Sequence, residues 1–182
     1  MITSCTEDVN PVNPVKPMPA QSLTSYEFRW GSEMFDTYLV KALEKSELIK
    51  MSPEDEYLFG INNDPILFWG NIMVEMSYWE SKWNPATYYK ESFGLYSRGL
   101  FQLSLVDGKR YGCNFITEQS VHNPKANIEC AVKVMQKLIK QDNNIAGKHG
   151  NKWLGAARYF STLRGTRDYT AKALTAIRGA NR

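Results

Sequence analysis

Glu80 is the residue of this chain best placed for acid–base chemistry. It closes an apolar run, ILFWGNIMVEMSYWES, and is followed at once by KWNP and a loop rich in Tyr and Gly. If the run is helical, its carboxyl sits at a helix C-terminus, where the macrodipole disfavours negative charge. An apolar setting disfavours it further. Both effects favour the protonated acid near neutral pH, the form a general acid needs. Trp79 and Trp83 flank it, and Ser81 offers a nearby hydroxyl. The plainer alternative is an exposed glutamate at a helix end. Glu75 is a rival, but it lies about 140° round the helix from Glu80, so both cannot face one cleft. A polar contact with a neighbouring helix is its expected role. Glu91 and Asp107 are loop carboxylates that could supply a second catalytic carboxyl, since an inverting glycosidase needs a base across the sugar from its acid. Neither has a spacing that singles it out.

Helices must position these groups. Asp64-Pro65 is an N-cap acceptor followed by proline at the first helical position, so a helix is expected from there to about Ser81. Its apolar residues run nearly all round, which marks a central, buried helix. Asn84-Pro85 stops it. Before it, Glu33 to Lys50 has helical spacing with Ser32 as N-cap, and Ser52-Pro53-Glu54-Asp55 opens an acidic turn. After it, Ala86 to Ser97 reads as a loop carrying Tyr88, Tyr89, Phe93 and Tyr96. Gly99 to Ser104 fits a helical turn or an extended segment. Asn123-Pro124 starts another helix, with Ile128, Ala131, Val132, Met135, Leu138 and Ile139 on one stripe. Asn143 to Lys152 is a polar turn, Lys152 to Leu163 is expected to be helical, and Thr170 to Arg178 is a last amphipathic helix. The fold class is mainly α, with a small β element in the loop region.

A chain of 182 residues with 43% hydrophobic and 23% charged residues suits a single globular domain. Aromatics at 13% exceed what such a core needs. Surplus rings often line carbohydrate or peptide grooves, although plain core filling competes. The net charge of +3 is uneven, with eleven Lys and Arg against two acids from Ala131 to Arg182. That basic half suits an anionic polymer, either nucleic acid or cell-wall material, or is a solvated face. No nucleic-acid-binding signature accompanies it. Cys113 and Cys130 lie seventeen apart with no His or Cys at metal spacing, so a disulfide in an oxidising compartment is expected. Ile2-Thr3-Ser4-Cys5 resembles the end of a bacterial lipoprotein signal, making Cys5 a lipidation candidate. The apolar signal segment is missing, so the sequence would begin just before the processing site. Pro11, Pro14, Pro17 and Pro19 then make residues 1–21 an extended tether. No stretch reads as a membrane span.

Four groups of residues carry a resemblance. They are Glu80-Ser81-Lys82-Trp83-Asn84-Pro85, Ser97-Arg98-Gly99-Leu100-Phe101-Gln102, Asn123-Pro124 with Asn127-Ile128, and Ala156-Ala157-Arg158-Tyr159. In this order they resemble the motifs of soluble lytic transglycosylases, within the lysozyme-like group that includes goose-type lysozyme. The resemblance covers about Asp64 to Leu163. It implies a lysozyme-like catalytic fold acting on peptidoglycan glycan strands without metal or cofactor, and the domain is expected to span residues 22–182 and to act as a monomer. Glu80 would be the catalytic acid/base, cutting the β-1,4 bond between N-acetylmuramic acid and N-acetylglucosamine. Gln102 would hydrogen-bond the sugar near its 2-acetamido group. Phe101 would line the groove in place of the usual Met. Tyr159 would bring its hydroxyl near the Glu80 carboxylate, and Ser97 would approach substrate from the loop. Two departures stand out: Phe160-Ser161 follows Tyr159 where the family has Asn-Ala-Gly, and the loop between Pro85 and Gly99 is longer and Tyr-rich.

The implied place is outside the cytoplasm of a bacterium, in the periplasm or anchored to the outer membrane through Cys5. The absence of a clearly placed second carboxylate favours attack by the muramic acid 6-hydroxyl, giving 1,6-anhydro ends. Attack by water would make the chain a lysozyme. A glycan-binding protein with a degenerate site is the competing class, opposed by the joint presence of Glu80, Gln102 and Tyr159. A nucleic-acid binder using the basic half has no motif behind it.

Overall fold

The computed structural model describes residues 30–182, apart from Ser32 and Phe93. The Pro-rich tether, Cys5 and the Ser32 cap lie outside the described residues. The architecture is mainly helical. Wide π-type turns over Glu33–Val40 run into α1 (Lys41–Glu44), and short 3-10 turns follow at Leu48–Lys50 and Glu56–Phe59. The continuous helix suggested by the spacing from Glu33 to Lys50 is thus three segments of different pitch. Phe35, Leu39, Leu43 and Leu48 still reach the core from them.

The central helix α2 (Pro65–Ser81) starts where its cap pair predicts. The Asp64 carboxylate accepts from the Ile66 and Leu67 amides at 2.8 and 3.2 Å. Phe68, Trp69, Ile72, Met73, Val74 and Met76 are all buried, as an all-round apolar helix must be. The helix ends at Lys82 in the left-handed conformation, and Trp83 repeats it. The chain therefore turns before Asn84-Pro85 is reached.

The Tyr-rich loop contains the expected β element: β1 (Tyr88–Lys90) pairs antiparallel with β2 (Tyr96–Arg98). Next come α3 (Leu105–Tyr111), α4 (Glu118–Val121) and α5 (Pro124–Asp142). Asn123 caps α5 through a 3.0 Å bond from the Ala126 amide, and the whole apolar stripe predicted for it is buried. The Cys113–Cys130 disulfide joins the segment after α3 to the first turns of α5.

The helix expected from Lys152 to Leu163 does not form. A two-residue hairpin, β3 (Lys148–His149) with β4 (Lys152–Trp153), leads into 3-10 turns at Gly155–Arg158 and Ser161–Leu163. Gly155 explains the break. Its φ is +57°, and a Cβ there would lie 1.7 Å from the Asn144 carbonyl oxygen. The backbones cross too closely for any other residue, so no helix can run through. The final helix α6 (Asp168–Gly179) packs on α2. Asn181 fastens this end: it accepts from Asn71 at 3.0 Å and donates to the Phe59 and Phe68 carbonyls.

Candidate active site

A cavity of about 220 Å³ opens where four segments meet, lined by Glu80, Glu91, Ser97, Phe101, Gln102, Tyr159, Phe160 and Ser161. α2 delivers Glu80, the β1–β2 hairpin delivers Glu91 and Ser97, and the turns after β4 deliver Tyr159 to Ser161. Larger hollows lie elsewhere on the surface, and none of them is lined by Glu80, Gln102 or Tyr159.

The Glu80 carboxyl is pushed up to about 7, chiefly by burial. A 2.6 Å hydrogen bond from the Thr162 hydroxyl and the charge of Arg164 hold it down, while the charge of Glu91 raises it. Burial outweighs the stabilising partners, and the group is poised to exchange a proton near neutrality. Ser81 takes no part in this. Its hydroxyl donates to the Ser77 carbonyl within its own helix. Glu75 accepts from the Trp79 indole one turn along, at 3.1 Å, in place of the expected contact with another helix.

Gln102 comes from a tight turn between Arg98 and Leu103, whose backbones exchange bonds of 2.7 and 2.9 Å. Gly99 and Gln102 are both left-handed, with φ of +75° and +47°. Buried Asn127 holds the turn: it accepts from the Phe101 amide at 2.9 Å and donates to the Arg98 and Val121 carbonyls. A Cβ on Gly99 would meet the Asn127 amide at 2.5 Å, so the turn and α5 lie in direct contact. The Gln102 side-chain amide donates to the Gly99 and Thr87 carbonyls. Its carbonyl oxygen has no protein partner among the described residues, which leaves an acceptor at the cavity. The ring of Phe101 belongs to the core, fully buried, and closes the cavity floor.

Ser97 and Tyr159 both line the cavity, and each is held by a carboxylate other than Glu80. The Tyr159 hydroxyl donates to Asp107 at 2.5 Å, not to Glu80. Burial first, then Asp107, raises its pKa far above the usual phenol range. Asp107 also accepts from the Ser104 amide and hydroxyl, at 2.8 and 2.6 Å, so it is a buried anchor at the start of α3. Ser97 donates to Glu91 at 2.7 Å, which places a second carboxylate in the cavity. Thr162 carried no signal in the sequence. Only the fold brings it to Glu80 from 82 residues away. Among the described residues no cluster of His, Cys, Asp and Glu could hold a metal ion.

The cavity coincides with a recognisable region. A family model described as a transglycosylase SLT domain matches residues 69–174. Among solved structures, the wild-type form of DslA is 28% identical, with a TM-score of 0.73 over 81% of this chain and 90% of that one. Two variants of the same protein, each with one glutamate changed to glutamine, give 0.73 and 0.72 over the same coverage. The two altered glutamates are eleven residues apart in that chain. No curated protein matches.

Proposed function

This chain belongs to the transglycosylase SLT domain family, a family of peptidoglycan-cleaving enzymes, and on that premise we propose that Glu80 is its catalytic acid/base. The supporting observation is a neutral-range carboxyl at a cavity that also presents a free Gln102 acceptor. Protonated Glu80 gives its proton to the oxygen bridging N-acetylmuramic acid and N-acetylglucosamine, and the C1–O bond breaks. The resulting carboxylate then takes the proton of the muramic acid 6-hydroxyl as that oxygen bonds to C1. The product carries a 1,6-anhydro end, and no water is consumed. Gln102 accepts from the acetamido N–H, Phe101 closes the floor and Tyr159 forms a wall. Residues 22–182 are the catalytic domain, and Cys5 with the tether anchors it outside the cytoplasm.

One observation favours a second reading. Glu91 shares the cavity with Glu80, and the Ser97 hydroxyl orients it. Its spacing from Glu80 is eleven residues, the same as between the two glutamates altered in DslA. A second carboxylate so held can activate water, and the reaction becomes hydrolysis with reducing ends.

Purified sacculi incubated with the chain test both. Anhydro ends in the mass spectrum support transglycosylation, and reducing ends support hydrolysis. Glu80→Gln should lower product release at least about a thousandfold with the fold intact. Full activity in that variant would remove Glu80 from the chemistry.

A further inference from the structure

The hairpin beside the cavity has two chemically different faces. Residues opposite one another in an antiparallel pair share a face, and neighbours along a strand alternate. The register pairs Tyr88 with Arg98, Tyr89 with Ser97 and Lys90 with Tyr96. The ladder continues one step, since the Glu91 amide donates to the Leu95 carbonyl at 2.8 Å. Tyr88, Lys90, Tyr96 and Arg98 therefore share one face, and Tyr89, Glu91 and Ser97 share the other.

The first face has ring and ion-pair partners within the protein, although Tyr88 there is itself 67% exposed. The Tyr88 and Tyr96 rings lie 6.4 Å apart, and the Arg98 guanidinium sits 4.7 Å from the Tyr96 ring. Arg98 also pairs with Glu118 on α4. The second face is the catalytic one, because Glu91 and Ser97 line the cavity. Tyr89 stands there 63% exposed, with no ring contact or side-chain hydrogen bond among the described residues. Nothing in the fold requires a large aromatic at that position.

We propose that Tyr89 is a glycan-binding residue, stacking its ring on a pyranose of the strand next to the sugar that meets Glu80. Pyranoses with equatorial substituents present axial C–H groups as an apolar face, which an open aromatic ring covers while the hydroxyls stay in water. The inference rests on the glycan-cleaving reading and adds the residue that extends the site beyond its cavity. The long Tyr-rich loop then serves to hold the strand in register across the acid.

The probe is a hexasaccharide of alternating N-acetylglucosamine and N-acetylmuramic acid, titrated by calorimetry into the Glu80→Gln chain. Adding Tyr89→Ala should weaken binding about tenfold, the equivalent of about 1.4 kcal/mol. Tyr89→Phe keeps the ring and should restore most of it. Tyr88→Ala, on the other face, should leave affinity unchanged. In the active chain, Tyr89→Ala should raise KM on soluble strands and spare kcat. Equal losses from Tyr88→Ala and Tyr89→Ala, no loss from Tyr89→Ala, or no binding at all would overturn the proposal. Tyr89-dependent binding in a wild-type chain that releases no product keeps this inference and removes the cleavage reading. Cleavage indifferent to Tyr89→Ala does the reverse.

Discussion

Glu80 acquires its acidity from opposed influences. Burial raises the carboxyl, and the Thr162 hydroxyl and Arg164 lower it, leaving it at about 7. The donor is the adjustable part. Thr162→Val removes the 2.6 Å bond to the carboxylate while keeping the Thr162 backbone amide, which acts in the same sense. The hydrogen bond favours the charged form, so its loss raises the pKa further. The proton is then held to higher pH. In the wild type kcat should fall as pH rises through about 7, because the acid is consumed. In Thr162→Val the same alkaline limb should shift to higher pH, by up to about one unit. A pH–rate profile on soluble glycan strands reads it directly, and an unmoved limb would mean that another group sets it. Tyr159 is a different case. Its hydroxyl is committed to Asp107, so it shapes the wall without donating to Glu80.

At the scale of elements, the site depends on joints between segments distant in sequence. The left-handed turn carrying Gln102 has little regular structure of its own. It is held by one buried amide, Asn127, on the first turn of α5. Asn127→Leu keeps the branched side-chain skeleton but, with methyls in place of the amide, orphans the Phe101 amide and two carbonyls. Each buried, unsatisfied group costs about 1–3 kcal/mol. A loss of about 3 kcal/mol or more is expected in urea unfolding, with activity lost in the fraction that stays folded, because Gln102 is no longer placed. A loss below about 1 kcal/mol would show that the turn is held elsewhere.

At the scale of the molecule, the disulfide ties the segment leaving α3 to α5, and those two helices hold opposite ends of the machinery. α3 carries Asp107, which fixes Tyr159, and α5 carries Asn127, which fixes Gln102. Closing the seventeen-residue separation stabilises the chain by about 3 kcal/mol on the loop-entropy model. Reduction, or paired Cys113→Ser and Cys130→Ser, should therefore lower the melting temperature by roughly 5–10 °C. An unchanged melt would make the bond ornamental. Among the described residues no helix is long and apolar enough to cross a membrane.

Local signals in the sequence determine a great deal here. Cap-plus-proline pairs at Asp64-Pro65 and Asn123-Pro124 place the two longest helices, because capping is a contact between near neighbours. The apolar pattern of α2 marks it as central, and the order of four motifs points to the family. Tertiary structure decides what depends on approach between distant segments. Lys152 to Leu163 has helical-looking spacing, yet Gly155 lies against the Asn144 carbonyl and breaks it. Glu91 lacked any distinguishing spacing, and only strand register brings it into the cavity. The same holds for Glu80. Its position at the end of a buried helix could be read from the chain. Its partner Thr162, and with it the balance that sets its acidity, is fixed only when the chain after β4 folds back across α2.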